Sequence, residues 1–297
     1  MITLLDTYGV AVTRLLPMII CALIGFYWGR SARAYPTEFV STLVTSIAVP
    51  ALVFHTLMNT PLPAQALVLV LVTSTLCLLA AGVVVAGLLW VMRMPVSALG
   101  QTAWIPNAGN LGLPMATLVF GAEGLAVAIA FFAVSSLLNF TLGLRWLTGS
   151  AGKALRQPVV WATLLAVAAR AIELPSPDWV LQSTDLLGGM AVPLMLLTLG
   201  HALSQLPRDG YKLGAGVAVA RFASGALIAG VLWVTVDLDH AIVAPIALQL
   251  LMPCAVNSYM FARIHGTHAH ASAGGVLIST LVFLLFAPFL LWFIALP

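Results

Sequence analysis

Charge is what this 297-residue sequence has least of. Lysine and arginine number 12, aspartate and glutamate 9, and charged residues make up 7% of the chain, against roughly 25% in soluble domains. With 62% hydrophobic residues and a mean hydropathy of +1.09, that scarcity excludes a soluble globular domain and points to a polytopic membrane protein with the lipid bilayer as its surroundings. The net charge of +3 and isoelectric point near 9.0 would suggest nucleic acid in a soluble protein. Here membrane orientation explains the basic residues, and no nucleic-acid partner is expected. Cysteine is also scarce: Cys21, Cys77 and Cys254 all lie in apolar runs, so neither a disulfide framework nor a metal site is expected, and no cofactor. The N-terminal stretch carries Asp6 and lacks a basic n-region and a small-residue cleavage pattern, so no cleaved signal peptide is expected. No Ser-His, paired-aspartate or His-Glu-x-x-His constellation is present, which argues against an enzyme.

What the chain does have is long apolar runs. At about 20 apolar residues per bilayer crossing, ten all-α spans are expected, near 10–29, 37–58, 65–91, 96–119, 124–147, 157–173, 179–204, 212–236, 240–263 and 271–296. If the odd-numbered connections face the cytoplasm, they collect Arg30, Arg33, Arg93, Arg145, Lys153, Arg156, Arg208, Lys212 and Arg263, nine of the twelve basic residues. Arg14, Arg170 and Arg221 are left over. That bias places both termini outside the cytoplasm. Prolines expose a repeat: Pro17 and Pro36 recur as Pro158 and Pro177 at an offset of 141, Ala48-Val49-Pro50 as Ala191-Val192-Pro193 at 143, and Pro106 as Pro253 at 147. Five spans per half is an odd number, so the repeat is inverted, with a first half at 1–147, a short polar linker at 148–156 and a second half at 157–297.

Spans four and nine are interrupted at matching places. The first reads Pro106-Asn107-Ala108-Gly109-Asn110-Leu111-Gly112-Leu113-Pro114, and the second Gln249-Leu250-Leu251-Met252-Pro253-Cys254-Ala255-Val256-Asn257-Ser258-Tyr259. Proline inside a helix removes a hydrogen bond and clashes with the preceding turn, and freed backbone at membrane depth is tolerated only against protein or a water-filled cavity. Residues 106–114 are therefore expected to line a cavity into which half-helices aim their positive N-terminal ends, which favours an anion. Asn107, Asn110 and Asn257 supply amides beside those ends, and Ser258 and Tyr259 hydroxyls. The competing reading is a pair of kinks that bind nothing.

The 106–114 stretch, followed by Phe120-Gly121, resembles the fourth span of the auxin efflux carrier family. Ala48-Val49-Pro50-Ala51-Leu52, the stretch from Pro253 to Ala262 and the ten-span inverted order are similar to it as well, so the resemblance covers nearly the whole chain. It implies a secondary transporter in which spans four and nine cross at Pro106 and Pro253, substrate binds beside the crossing, and a transport domain moves like an elevator against a scaffold. It also implies a homodimer in the bacterial inner (plasma) membrane. The family includes plant auxin exporters and bacterial permeases for small carboxylates such as malonate and malate. The absence of a long loop between halves, and apolar Val53 where plant exporters tend to place a polar residue, favour the carboxylate branch. By the same resemblance Asn107 contacts substrate, and Ser135 and Asn139 of span five face the same region; Gly109 is counted with them among the substrate-binding residues. Export of an aromatic, auxin-like carboxylate is the alternative within transport, and a non-transporting ligand sensor the alternative outside it.

Buried charge bears on coupling. Arg221 lies about eight residues into span eight, roughly 12 Å deep at 1.5 Å per residue. It is either a carboxylate partner or a side chain snorkelling to the headgroups. Span interiors carry no acid apart from Asp185 near an outer end, and since membrane cation sites usually recruit carboxylates, sodium coupling is disfavoured. His55 and His201, on the equivalent spans two and seven, are candidate proton carriers or packing residues. His265, His268 and His270 read as a surface turn.

Overall fold

The computed structural model describes residues 4–31, 33–60, 62–148, 157–206, 210–264 and 268–294. Among them the chain is helical, as a backbone in hydrocarbon must be when it has no water to bond. α1 (Leu4–Arg30) is followed by α2 (Thr37–Leu43), a π-helical turn (Val44–Ala48) and α3 (Val49–Asn59) in one run. α4 (Ala64–Val91) leads to α5 (Val96–Trp104), a break, a second π turn (Ala108–Gly112) and α6 (Leu113–Leu138). A third π turn (Asn139–Gly143) passes into α7 (Leu144–Thr148). The second half contains α8 (Pro158–Ala171), α9 (Asp178–Gly188), α10 (Ala191–Gln205), α11 (Tyr211–Thr235), α12 (His240–Leu250), α13 (Val256–Ile264) and α14 (Ala269–Ile294). Residues 149–156, with Lys153 and Arg156, lie outside the described residues, as do Arg208 and His265.

Among the described residues six helical runs are long and apolar enough to cross a membrane: Thr37–Asn59, Ala64–Val91, Ala108–Leu147, Asp178–Gln205, Tyr211–Thr235 and Ala269–Leu290. The chain is a polytopic membrane protein. The run from Ala108 to Leu147 departs from the expected pair of spans, because its 40 residues are helical almost without pause. At 1.5 Å per residue it would measure about 60 Å, twice a hydrocarbon core. Gly121 resolves the excess: its φ of 65° and ψ of −150° fall in a region open essentially to glycine alone, and the chain doubles back there. Gly109 consequently packs on Phe132 so closely that a Cβ on Gly109 would meet the ring edge at 2.8 Å.

Close backbone approach fixes other pairs. α1 lies along α10 where a Cβ on Gly200 would strike the Ala22 carbonyl oxygen at 1.7 Å, the small-residue contact that membrane helices use in place of a hydrophobic driving force. α3 packs on α8 and α9, while α11 packs on α14, α4 and α12. One apolar core gathers around α4, α5, α6, α11, α12 and α14. A second joins α3, α6 and α8. Exposed Leu16, Ile20, Leu76, Trp90, Val234, Leu285 and Phe289 give the outer surface its apolar character.

Candidate functional site

Two breaks meet at the centre of the molecule. α5 ends at Trp104 and α12 at Leu250, and the extended residues beyond them pair in antiparallel fashion. The Asn107 amide donates to the Pro253 carbonyl at 2.7 Å and the Ala255 amide to the Ile105 carbonyl at 3.0 Å. Pro106 and Pro253 have no N–H to offer, so the helices cannot run on through them, and the backbone bonds made there run from each break to the other. The chain resumes as the π turn from Ala108 and as α13 from Val256.

A cavity of about 100 Å³ opens where those two helical segments begin, lined by Pro106, Asn107, Gly109 and Asn110 from one break and Ala255, Val256 and Asn257 from the other. First-turn amides have no acceptor inside their own helix and carry partial positive charge. All three π turns of the described residues reach this space, through Val44 and Thr45, Gly109 and Asn110, and Asn139 and Phe140. A π turn holds an extra residue and shifts the side chains that follow, and such turns recur at functional sites. Ser135, Ser136, Phe132, Gln157 and Met195 complete much of the wall, in which no charged side chain of the described residues takes part.

The asparagines differ in how they are held. Asn107 is 3% exposed; its backbone carbonyl accepts from the Gly112 amide at 3.0 Å, while its side-chain Nδ2 has no partner. Asn139 Oδ1 accepts from Gln101 Nε2 at 2.8 Å, which leaves its NH₂ as the remaining donor. Asn257 is exposed, at the open side of the cavity. Neutral donors on rigid supports, next to two helix N-termini, can hold an oxyanion without burying a counter-charge.

A family model for membrane transport proteins (Mem_trans) matches the chain twice, over residues 10–155 and 150–291. The chain belongs to the Mem_trans family of membrane transport proteins. It is also 32% identical over 186 residues to an uncharacterised transporter of Methanothermobacter thermautotrophicus, a match taking in 56% of this chain and 60% of that relative's length. A membrane transporter was the expectation from the broken spans, and the family agrees at that level.

For this Mem_trans chain, the structure brings Pro106, Asn107, Gly109, Asn110, Ser135, Asn139 and Asn257 together around one cavity. Pro253 contributes its carbonyl to the crossing but does not line the space, and Tyr259 packs against the apolar core. Arg221 is also elsewhere, and neither expected role describes it. It is fully buried, with Nη1 donating to the Trp104 carbonyl and Nη2 to the Leu250 carbonyl at 2.7 Å, so it neither snorkels nor faces the cavity. Arg170, another arginine left over by the charge bias, donates to the carbonyls of Leu57, Thr60 and Leu62 at the end of α3.

The histidines sit apart. His55 Nδ1 lies 3.0 Å from the Leu181 carbonyl and Nε2 3.6 Å from Asp185, while His201 stacks on Tyr35 at 4.4 Å between ring centroids. Among the described residues no three His, Cys, Asp or Glu side chains gather as metal ligands. Thr45, Ser136 and Gln157 are wall residues that the sequence did not single out; for Thr45 the Pro50 that follows in the same run was the available signal. A larger cavity of about 290 Å³ between α1, α10, α14 and the second π turn is lined by apolar side chains and Thr280, which suits hydrocarbon rather than an ionic solute.

Proposed function

We propose that the protein is a secondary carrier of small organic anions, mono- or dicarboxylates of the size of malonate or malate, working by elevator-type alternating access. The observation that carries this reading is the small neutral cavity at the crossing, where two helix N-termini and the amides of Asn107, Asn110, Asn139 and Asn257 converge. Midplane sites of this construction, with half-helix N-termini directed at anionic groups, are how broken-helix transporters hold carboxylates. At about 100 Å³ the cavity falls below the ~300–1,000 Å³ of drug-sized sites, which favours a small carboxylate over an aromatic, auxin-like one.

The reading carries an architecture with it: ten crossings in two inverted halves, 1–147 and 157–297, joined by a cytoplasmic linker, in a bacterial-type inner membrane. The two family matches, over 10–155 and 150–291, support a repeat. The antiparallel pairing of the two breaks supports opposite orientations for them. In this reading the six long runs are joined by four further crossings: α1, α8 with 14 residues, and the half-helices α5 with 9 and α12 with 11, each taken with its continuation beyond the break.

A thermal-unfolding screen of the purified protein against acetate, lactate, malonate, malate, succinate and indole-3-acetate at two pH values tests the substrate class. Saturable stabilisation by small carboxylates, with little from the indole acid, is expected. Stabilisation by the aromatic acid alone would overturn the size argument. A dependence on pH that follows the carboxylate's own ionisation would identify the charged form as the ligand.

A further inference from the structure

We infer that Arg221 is a built-in counter-ion for the crossing: its guanidinium fills the place at the two half-helix C-termini that a coupling cation would otherwise take, so the carrier works without sodium. Trp104 and Leu250 are the last residues of α5 and α12, and their carbonyls belong to the set that has no donor within its own helix and carries partial negative charge. In broken-helix transporters such C-terminal ends and unwound carbonyls coordinate sodium. Here one side chain from a third helix, α11, donates to both. The site is built for it. A Cβ on Gly225, one turn along α11, would lie 2.3 Å from the Leu250 carbonyl oxygen and 3.0 Å from Arg221 Nη2, so glycine there lets the backbones close around the guanidinium.

The same arginine is poorly placed for substrate. It has no exposed surface and does not line the cavity, and Nη1 and Nη2 are both committed to backbone carbonyls. Arg170 makes a related cap at the end of α3, but it is half-exposed at a helix end, where water is at hand. Arg221 serves carbonyls that water does not reach. The positive helix ends at the crossing are thereby left for an anion, and the negative ends are neutralised by a charge that never leaves.

This inference rests on the crossing being the transport site. Its test reads unfolding in different salts, so an error in the substrate class would leave its outcome untouched. The purified protein is unfolded in sodium, potassium and choline chloride at equal ionic strength, alongside Arg221→Lys and the similarly long but uncharged Arg221→Met. The wild type is expected to unfold at the same temperature in all three salts, and Arg221→Lys to keep more of the wild-type midpoint than Arg221→Met. Failure of Arg221→Met to yield folded protein while Arg221→Lys does counts in the same direction. A saturable, sodium-specific stabilisation of the wild type overturns the inference, as does Arg221→Met equalling or exceeding Arg221→Lys. If neither variant folds, the wild-type salt comparison decides alone.

Discussion

Asn107 is held through its backbone on both sides of the crossing while its side-chain Nδ2 is left without a bond. A hydrogen bond to a charged group contributes about 1.5–3 kcal/mol, so Asn107→Ala is expected to weaken carboxylate binding by roughly 10- to 100-fold. Because that donor has no protein partner to lose, the midpoint of thermal unfolding without ligand should stay near the wild-type value. Paired titrations of the two proteins check both halves of the statement, and an equal loss of stability would assign Asn107 a packing role instead. That the asparagines line a cavity was legible in the sequence, because backbone freed by proline in an apolar run is tolerated only against protein or a water-filled space. Arg221 was not: depth along one helix says nothing about carbonyls 117 and 29 residues away, and only the crossing brings them together.

At the scale of elements, the turn at Gly121 is what folds the second π turn back against Ser135 and Asn139. With no atom within 4 Å of the position where a Cβ would stand, the cost of Gly121→Ala is conformational, about 1–3 kcal/mol for a backbone region closed to other residues. A lowering of the unfolding midpoint by roughly 2–10 °C is expected, together with weaker carboxylate binding as the two limbs lose their register. An unchanged midpoint and unchanged binding would show that another feature sets the hairpin. The sequence marked this place as a boundary between spans, between 119 and 124, and that much was readable. The three π turns were not, since one extra residue in a turn leaves no signature in composition or periodicity, yet all of them border the cavity.

Across the whole molecule, the proposed carriage of an anion with no co-transported cation makes each cycle electrogenic, because a charge that belongs to the protein returns with it. Transport of a carboxylate inward against a negative interior costs about 2.3 kcal/mol per charge per 100 mV. Reversing the potential of vesicles to 100 mV inside-positive should therefore raise equilibrium accumulation of a monoanion by roughly 50-fold relative to zero potential. Accumulation that ignores potential but follows a proton gradient would instead give the carrier a coupling proton, for which His55 and His201 are the in-span titratable candidates. The membrane class and the paired breaks were readable from composition and proline spacing. The packing of α1 on α10 and of α11 on α14 was not, because glycine contacts between distant helices carry no local pattern. The most direct measurement is uptake of radiolabelled malonate and malate by proteoliposomes containing the wild type or Asn107→Ala. The account predicts saturable uptake by the wild type, reduced at least tenfold in the variant at low substrate concentration; equal uptake by the two proteins, or no uptake of either acid, would contradict it.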